Sequence, residues 1–273
     1  MKIIPALKWH RLFDECEDTS TLINRTVIDI ERGLNKIKVI KDSFPFSFLS
    51  GHFGLALFNS YFYKANFQER SVANAISNIK TGLDALSQAN VSYSFCNGLS
   101  GILWTLKCFE KDNFINEDTL QTSTLNDLFS KGLDEMGNRN YDYLHGALGI
   151  CLPALLNLNQ EYSYAFLEKI TQKLKETVET TTDQYKWESY NPTTQTTEFN
   201  LGLSHGMPSI IVILSLIYEA NIQKDLCLKL LTGSINWLLS QKLPERSLSI
   251  FPYTVPKMET KKSELYPSRL AWC

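Results

Sequence analysis

The stretch "SHGMPSIIVILSLIY" at residues 204–218 decides how the whole chain is interpreted, because three similar segments precede it. They are "SGHFGLALFNSYFY" at 50–63, "CNGLSGILWTLKCF" at 96–109 and "LHGALGICLPALL" at 144–156. The first three carry Gly-x-x-Gly and the last carries Gly-x-x-Ser, with leading glycines at Gly51, Gly98, Gly146 and Gly206. Self-similarity at this period is typical of a repeated pair of helices with two loops.

Amphipathic segments alternate with these glycine-led segments. Two clear examples are residues 21–40 and 163–179, in which apolar residues recur every three or four positions. Their apolar stripes are Ile23, Val27, Ile30, Leu34 and Ile37 in the first, and Phe166, Ile170, Leu174 and Val178 in the second. One apolar stripe indicates an outer helix, whereas a helix that is apolar on all sides is enclosed by neighbours. The pattern predicts an all-α fold of inner and outer helices, stacked as an open solenoid or closed into a ring.

Two stretches interrupt this alternation. Residues 180–200 are rich in threonine, and residues 241–272 contain four prolines. Strand signals are weak throughout, so both stretches are interpreted as irregular. Loops of this length in a compact domain are either functional or simple insertions.

Composition excludes several classes of protein. Hydrophobic residues make up 44% and charged residues 21% of the chain, with a net charge of -2. No basic stripe for nucleic acid is present. The most apolar run, residues 210–218, is too short for a transmembrane helix, and the amino terminus lacks a signal peptide. Six cysteines without a Cys-x-x-Cys pair predict reduced thiols and a cytoplasmic protein.

Polar residues accompany the glycine motifs. Of four histidines, three adjoin a leading glycine, namely His52, His145 and His205, and Cys96 lies two residues before Gly98. If the repeats are in phase, these side chains face a common space. The alternatives are that the glycines serve tight packing alone and that each histidine is a structural hydrogen-bonding group. The residues by themselves leave both alternatives open.

Three segments resemble the lanthionine synthetase C-like (LanC-like) cyclases, and the resemblance extends from about residue 20 to the end of the chain. They are "YDYLHGALGI" at 141–150, "LGLSHGMPSI" at 201–210 and "SRLAWC" at 268–273. The resemblance implies an α/α toroid, a double-layered barrel of inner and outer helices. It also implies a zinc-dependent enzyme of lanthipeptide (lantibiotic) biosynthesis that adds peptide cysteine thiols to dehydroalanine or dehydrobutyrine, forming thioether rings.

The resemblance assigns roles to four residues. Asp142, His205 and Arg269 match the active-site aspartate, histidine and arginine of the family, and Cys273 matches its first zinc ligand. In this scheme His205 protonates the enolate, Asp142 orients the imidazole, and Arg269 holds that carboxylate or meets the enolate charge. Without the resemblance, Asp142 is equally a helix cap, Arg269 a surface residue and Cys273 a disordered terminus.

The sequence departs from the family after Cys273, where the family continues with further hairpins and two more zinc ligands. We therefore expect one LanC-like domain over residues 1–273 that lacks these hairpins, an incomplete toroid with exposed apolar flanks, and impaired cyclase activity. Whether the chain is an enzyme at all is left open by this departure. An alternative metal site would combine Cys96, His145 and His205.

Two competing functions are weighed against the cyclase. One is a non-catalytic LanC-like module that binds a peptide or a partner protein. The other is a glycosidase of toroidal fold, which would need a pair of carboxylates where the repeat motifs offer only Asp142. The cyclase hypothesis implies a dehydrated precursor peptide as substrate and a lanthipeptide dehydratase as a partner.

Overall fold

A computed structural model describes residues 17–36, 44–66, 68–115, 122–191 and 195–257. Arg269 and Cys273, assigned by resemblance, lie outside these residues. The described part contains nine α-helices: α1 Glu17–Leu34, α2 His52–Asn66, α3 Glu69–Leu86, α4 Leu99–Lys111, α5 Thr122–Gly137, α6 Ala147–Leu155, α7 Glu161–Thr177, α8 Met207–Glu219 and α9 Lys224–Ser240. It also contains five short strands: β1 Glu179–Thr181, β2 Gln184–Lys186, β3 Ser189–Asn191, β4 Thr196–Asn200 and β5 Thr254–Pro256. None of these helices combines the length and the apolar character that a membrane span requires.

The chain divides into two compact units. The first comprises Met1–Ser92 with Cys96–Gly98 and contains α1 to α3. The second comprises Tyr93–Phe95 with Leu99–Cys273 and contains α4 to α9 and the five strands. The organisation of residues 1–273 as a single domain stays a prediction.

The four glycine-led segments form helices α2, α4, α6 and α8. Each helix begins at the residue that follows its leading glycine. Helix α6 is buried along its entire length, as expected for an inner helix. These helices confirm the interpretation of the repeats.

The apolar stripe predicted from the sequence is buried in the outer helix α7 but not in α1. In α7, Phe166, Ile170 and Leu174 are buried, as the stripe predicts. In α1, Ile23 and Ile30 are 44% and 47% exposed, so the prediction that this stripe is buried is wrong there. Glu31 of α1 is instead buried, and its carboxylate accepts a hydrogen bond of 2.7 Å from Arg70 on α3. A paired carboxylate therefore occupies the inward face of this helix.

The prediction that residues 180–200 are irregular is also wrong. Strands β1 and β2 form an antiparallel hairpin, and β3 and β4 form a second one. Strand β5, from the proline-containing stretch, pairs antiparallel with the other edge of β4. Strands of three residues leave little periodic signal, because only one or two side chains on each point toward the core.

Tryptophan and phenylalanine side chains attach these strands to the helices. Trp187 is 2% exposed, and its indole N–H donates to the carbonyl of Leu174 in α7 over 3.0 Å. Its backbone N–H lies 3.2 Å from the sulfur of Met207 in α8. Phe199 of β4 is buried with its ring edge-on to Trp237 of α9. The sheet is thereby held beside the start of α8.

Close backbone approach explains why glycine precedes the inner helices α6 and α8. Gly146 and Gly206 have φ of -118° and -143°, which any residue can adopt. A Cβ atom on Gly146 would nevertheless lie 2.6 Å from the carbonyl oxygen of Asn140, and one on Gly206 would collide with the carbonyl of Asn200. Steric exclusion of a side chain, rather than backbone conformation, therefore requires glycine at both helix starts.

Replacement of Gly206 by alanine tests this steric requirement. Because the added methyl group has no space against the Asn200 backbone, Gly206→Ala is expected to lower the free energy of unfolding by about 1–3 kcal/mol. The measurement is urea denaturation followed by circular dichroism. Gly137→Ala is the matched control, since a Cβ there meets nothing within 4 Å. It should leave stability unchanged or raise it by up to about 1 kcal/mol, and equal effects of the two substitutions would contradict the steric account.

Candidate functional site

The turn that precedes α6 is organised by Asp142. Its Oδ1 accepts hydrogen bonds from the backbone N–H groups of Leu144 and His145, both over 2.8 Å. Gly146, rather than Asp142, is the residue at the N-cap of α6. Asp142 thus caps the turn and keeps its second carboxylate oxygen available for another partner.

That partner is His205, from the corresponding turn before α8. The imidazole Nδ1–H donates to Asp142 Oδ2 over 2.5 Å, across a sequence separation of 63 residues. The two turns are also joined through the backbone, because the N–H of Tyr143 donates to the carbonyl of Ser204 over 3.2 Å. The side chains of Asp142 and His205 are 21% and 33% exposed, so the pair is largely shielded while His205 keeps access to solvent.

The two groups stabilise each other's charge. The hydrogen bond to Asp142 raises the pKa of His205 above its ordinary value, against the opposing effect of burial. Burial favours the neutral acid at Asp142, but the hydrogen bonds from His205 and from the backbone of His145 outweigh it and lower the pKa of Asp142. The geometry therefore favours an imidazolium paired with a carboxylate.

Within the second unit, His145 also lies beside this pair. The rings of His145 and His205 are parallel to within 3°, with centroids 5.9 Å apart. His52, in the first unit, instead has its Nδ1 2.7 Å from the amide oxygen of Asn78 on α3. Cys96, also in the first unit, is buried. The second unit thus brings two of the motif histidines together, and the expectation of one space shared by all the motif side chains stays a prediction.

A cavity of about 720 Å³ opens against the pair within the second unit. One side of its wall contains Asp142, His145 and His205. Other wall residues come from the strands and the segments beside them, and include Trp187, Glu188, Tyr190 and Tyr253. Tyr190 is 65% exposed, so part of this wall is open to solvent.

Paired charges form part of the same wall. Glu188 is bound by Arg139 over 2.8 Å and also by Lys257. The hydrogen bond from Lys257, together with the charge of Arg139, lowers the pKa of Glu188 against the effect of burial. Sequence reasoning missed these wall residues, and the one signal for them was the length of the two interrupting stretches. Because Glu188 is paired with two cations, we assign it a structural role rather than that of a general acid or base.

The described residues do not fit a zinc ion by themselves. No group of three or more histidine, cysteine, aspartate or glutamate side chains able to hold a metal occurs within the ranges that the structure covers. The alternative metal site of Cys96, His145 and His205 is therefore wrong. Cys273 lies outside those ranges, so its proposed ligation stays a prediction and no chemical step is routed through zinc.

Comparison with known proteins supports the family resemblance noted in the sequence. Residues 42–273 match the family described as lanthionine synthetase C-like protein. The chain belongs to this family. No curated protein matches the chain in sequence.

Solved structures agree with the family. The chain is similar to "Nisin cyclase" with a TM-score of 0.63 and 16% sequence identity. The match covers 86% of this chain and 62% of the nisin cyclase chain, which is less than two thirds of that protein. At this identity the match shows the fold, and the predicted fold class, an α/α toroid of inner and outer helices, is confirmed.

The Asp142–His205 pair should stabilise the folded protein within a limited range of pH. The pKa of His205 is raised on folding, so its contribution is complete below its ordinary value of 6.5 and is lost as the pH rises through the folded value. The pKa of Asp142 is lowered, so its contribution is complete above 3.8 and is lost as the pH falls through the folded value. A double-mutant cycle of Asp142→Asn and His205→Asn should give a coupling free energy of about 0.5–3 kcal/mol between about pH 4 and 6.5.

The cycle is measured from urea denaturation at several pH values. Coupling should fall on both sides of the window, because the aspartate is neutralised below it and the imidazole above it. The cycle of Arg139→Gln and Glu188→Gln is the control for the alkaline side, where its coupling should not fall because the guanidinium stays charged. A coupling of zero for Asp142 and His205 near pH 5.5 would contradict the ion pair.

Proposed function

We propose that this protein is a lanthipeptide cyclase, which adds cysteine thiols of a dehydrated precursor peptide to dehydroalanine or dehydrobutyrine residues. The proposal depends above all on one observation, the hydrogen bond of 2.5 Å between Asp142 and His205 at the wall of a cavity. Membership of the lanthionine synthetase C-like family supports it.

The pair suits the proton transfer that this reaction needs. Attack of sulfur on the β carbon forms the carbon–sulfur bond and moves the π electrons toward the carbonyl as an enolate. The α carbon must then receive a proton from a general acid. Because Nδ1 of His205 is occupied by Asp142, Nε2 is the ring atom that would donate this proton. The raised pKa of His205 keeps that proton available near neutral pH.

The cavity suits a short length of peptide. Its volume of about 720 Å³ lies within the range of small-molecule sites and exceeds the volume of any single side chain. Tyr190 and Tyr253 provide apolar faces that exclude water from the reacting centre, and polar tips that hydrogen-bond to peptide backbone. A dehydro residue and part of its ring would thus be held against His205.

Zinc is included in the proposal because the chain resembles the LanC-like cyclases. In such a site the ion lowers the pKa of a bound thiol and so supplies a thiolate at neutral pH. Cys273 is the proposed ligand in this chain, and Arg269 the proposed partner of the carboxylate or of the enolate. A lanthipeptide dehydratase is the proposed partner protein. The cytoplasmic location predicted from the sequence is proposed on the same grounds.

A cyclisation assay tests the proposal. The purified protein, supplied with zinc and a dehydrated precursor peptide, should consume peptide thiols, detected as loss of alkylation by a thiol reagent in mass spectrometry. His205→Asn should lower the rate by about 100-fold to 10,000-fold, because it removes the general acid. Asp142→Asn should also lower the rate, since it removes the group that keeps the imidazole charged and oriented.

Gly137→Ala is the matched control, because it lies in the second unit with no neighbour within 4 Å of an added Cβ. It should retain the full rate. If the wild-type protein binds the peptide but leaves every thiol free to alkylate, the cyclase proposal fails and the non-catalytic binding module takes its place. Full activity in His205→Asn would remove His205 from the mechanism.

Metal analysis tests the zinc part separately. Purified protein should contain zinc, and Cys273→Ala should lower the bound zinc at least tenfold because a ligand is lost. Cys16→Ala is the control for loss of one thiol and should retain the metal. Equal zinc content in all three proteins would contradict a role of Cys273 as ligand.

A further inference from the structure

Thioether formation, if this protein performs it, leaves the enzyme with a proton to replace. The thiol S–H bond breaks, the carbon–sulfur bond forms, and a C–H bond forms at the α carbon, so the reaction neither consumes nor releases a proton overall. His205, however, gives up its own proton to the α carbon, while the thiol proton is released elsewhere in the cavity. A group beside His205 that can both accept and donate a proton would close this cycle.

His145 has the placement that such a group requires. It lines the same cavity as His205, and its ring is exposed. The two rings are parallel within 3°, and their centroids are 5.9 Å apart. A proton can pass between two neighbouring rings through water in the cavity that they share.

Asp142 fixes the two histidines relative to each other. Its Oδ2 holds the ring of His205, and its Oδ1 holds the backbone N–H of His145 over 2.8 Å. One carboxylate therefore contacts the imidazole of His205 and the backbone of His145. Imidazole is the side chain suited to accepting and donating protons near neutral pH.

We propose that His145 is a second proton-carrying residue of this site, which receives the proton lost by the substrate thiol and passes it to His205. The pair then returns to its starting state after each addition. This inference rests on the proposed cyclase function and assigns to His145 a role that the family resemblance does not supply.

The other ionisable groups of the cavity wall are unsuited to this task. Arg139 and Glu188 form an ion pair with each other. Glu198, Tyr141, Tyr190 and Tyr253 complete the ionisable wall apart from Asp142 and the two histidines. Among the described residues of the wall, His145 and His205 are the two imidazoles.

Substitution of His145 tests the proposal with the same dehydrated precursor peptide. His145→Asn should lower kcat at least tenfold and leave KM within about twofold, because the loss affects proton transfer rather than peptide binding. In His145→Ala, added imidazole should restore the rate, and the restored rate should depend on pH. A purely structural role for His145 would not respond to imidazole.

His52→Asn is the matched control, because His52 occupies the same kind of motif and asparagine retains a hydrogen-bonding group for Asn78. It should keep the wild-type rate. If His145→Asn turns over at the wild-type rate with an unchanged pH profile, the proposal is overturned. A slow His145→Ala protein that imidazole does not restore would also overturn it.

An NMR measurement separates this proposal from the cyclase proposal, because it needs no peptide. The imidazole N–H of His205 should exchange with water more slowly in His145→Asn than in the wild-type protein, because the residue that carries protons to and from His205 is gone. Equal exchange rates in the two proteins would overturn the proposal. A wild-type protein whose exchange depends on His145 but that forms no thioether would instead overturn the cyclase function.

Discussion

The arrangement of the site depends on the close approach of backbone at the glycines that precede α6 and α8. Gly146 lies against Asn140 and Gly206 against Asn200, in both cases where a Cβ atom would not fit. Each close approach folds seven residues into a tight turn, and the two turns meet through the hydrogen bond from Tyr143 to Ser204. Asp142 and His205 are brought into contact because each occupies such a turn.

The same glycine-containing turn is repeated before several inner helices, and a few polar residues turn two of these repeats into a candidate site. The first unit carries the same turn, where the backbone of His52 donates to the carbonyl of Pro45 over 2.7 Å, yet the side chain of His52 is directed to Asn78 on an outer helix. In the second unit the aspartate of one turn meets the histidine of the next. The two units therefore differ in the partner of the histidine side chain, whereas the backbone at the helix starts is similar.

Much of the fold could be predicted from the sequence, because glycine spacing and apolar periodicity reflect backbone constraints that act locally. The starts of α6 and α8 and the buried stripe of α7 are examples. The strands that contribute to the cavity wall could not be predicted, since they are three to five residues long and held by contacts such as that of Trp187 with Leu174. The inward face of α1 depends on the pairing of Glu31 with Arg70, which no stripe reveals. Likewise, the meeting of Asp142 with His205 followed from the family resemblance, whereas the parallel ring of His145 depends on tertiary geometry.

The central claim is that Asp142 keeps His205 protonated at the wall of the cavity. The most direct measurement is the titration of the His205 ring by NMR in the wild-type protein and in Asp142→Asn. The account predicts a midpoint above 6.5 in the wild type and a lower midpoint in the variant, because the carboxylate that stabilises the imidazolium is gone. The same midpoint in both proteins would contradict the claim.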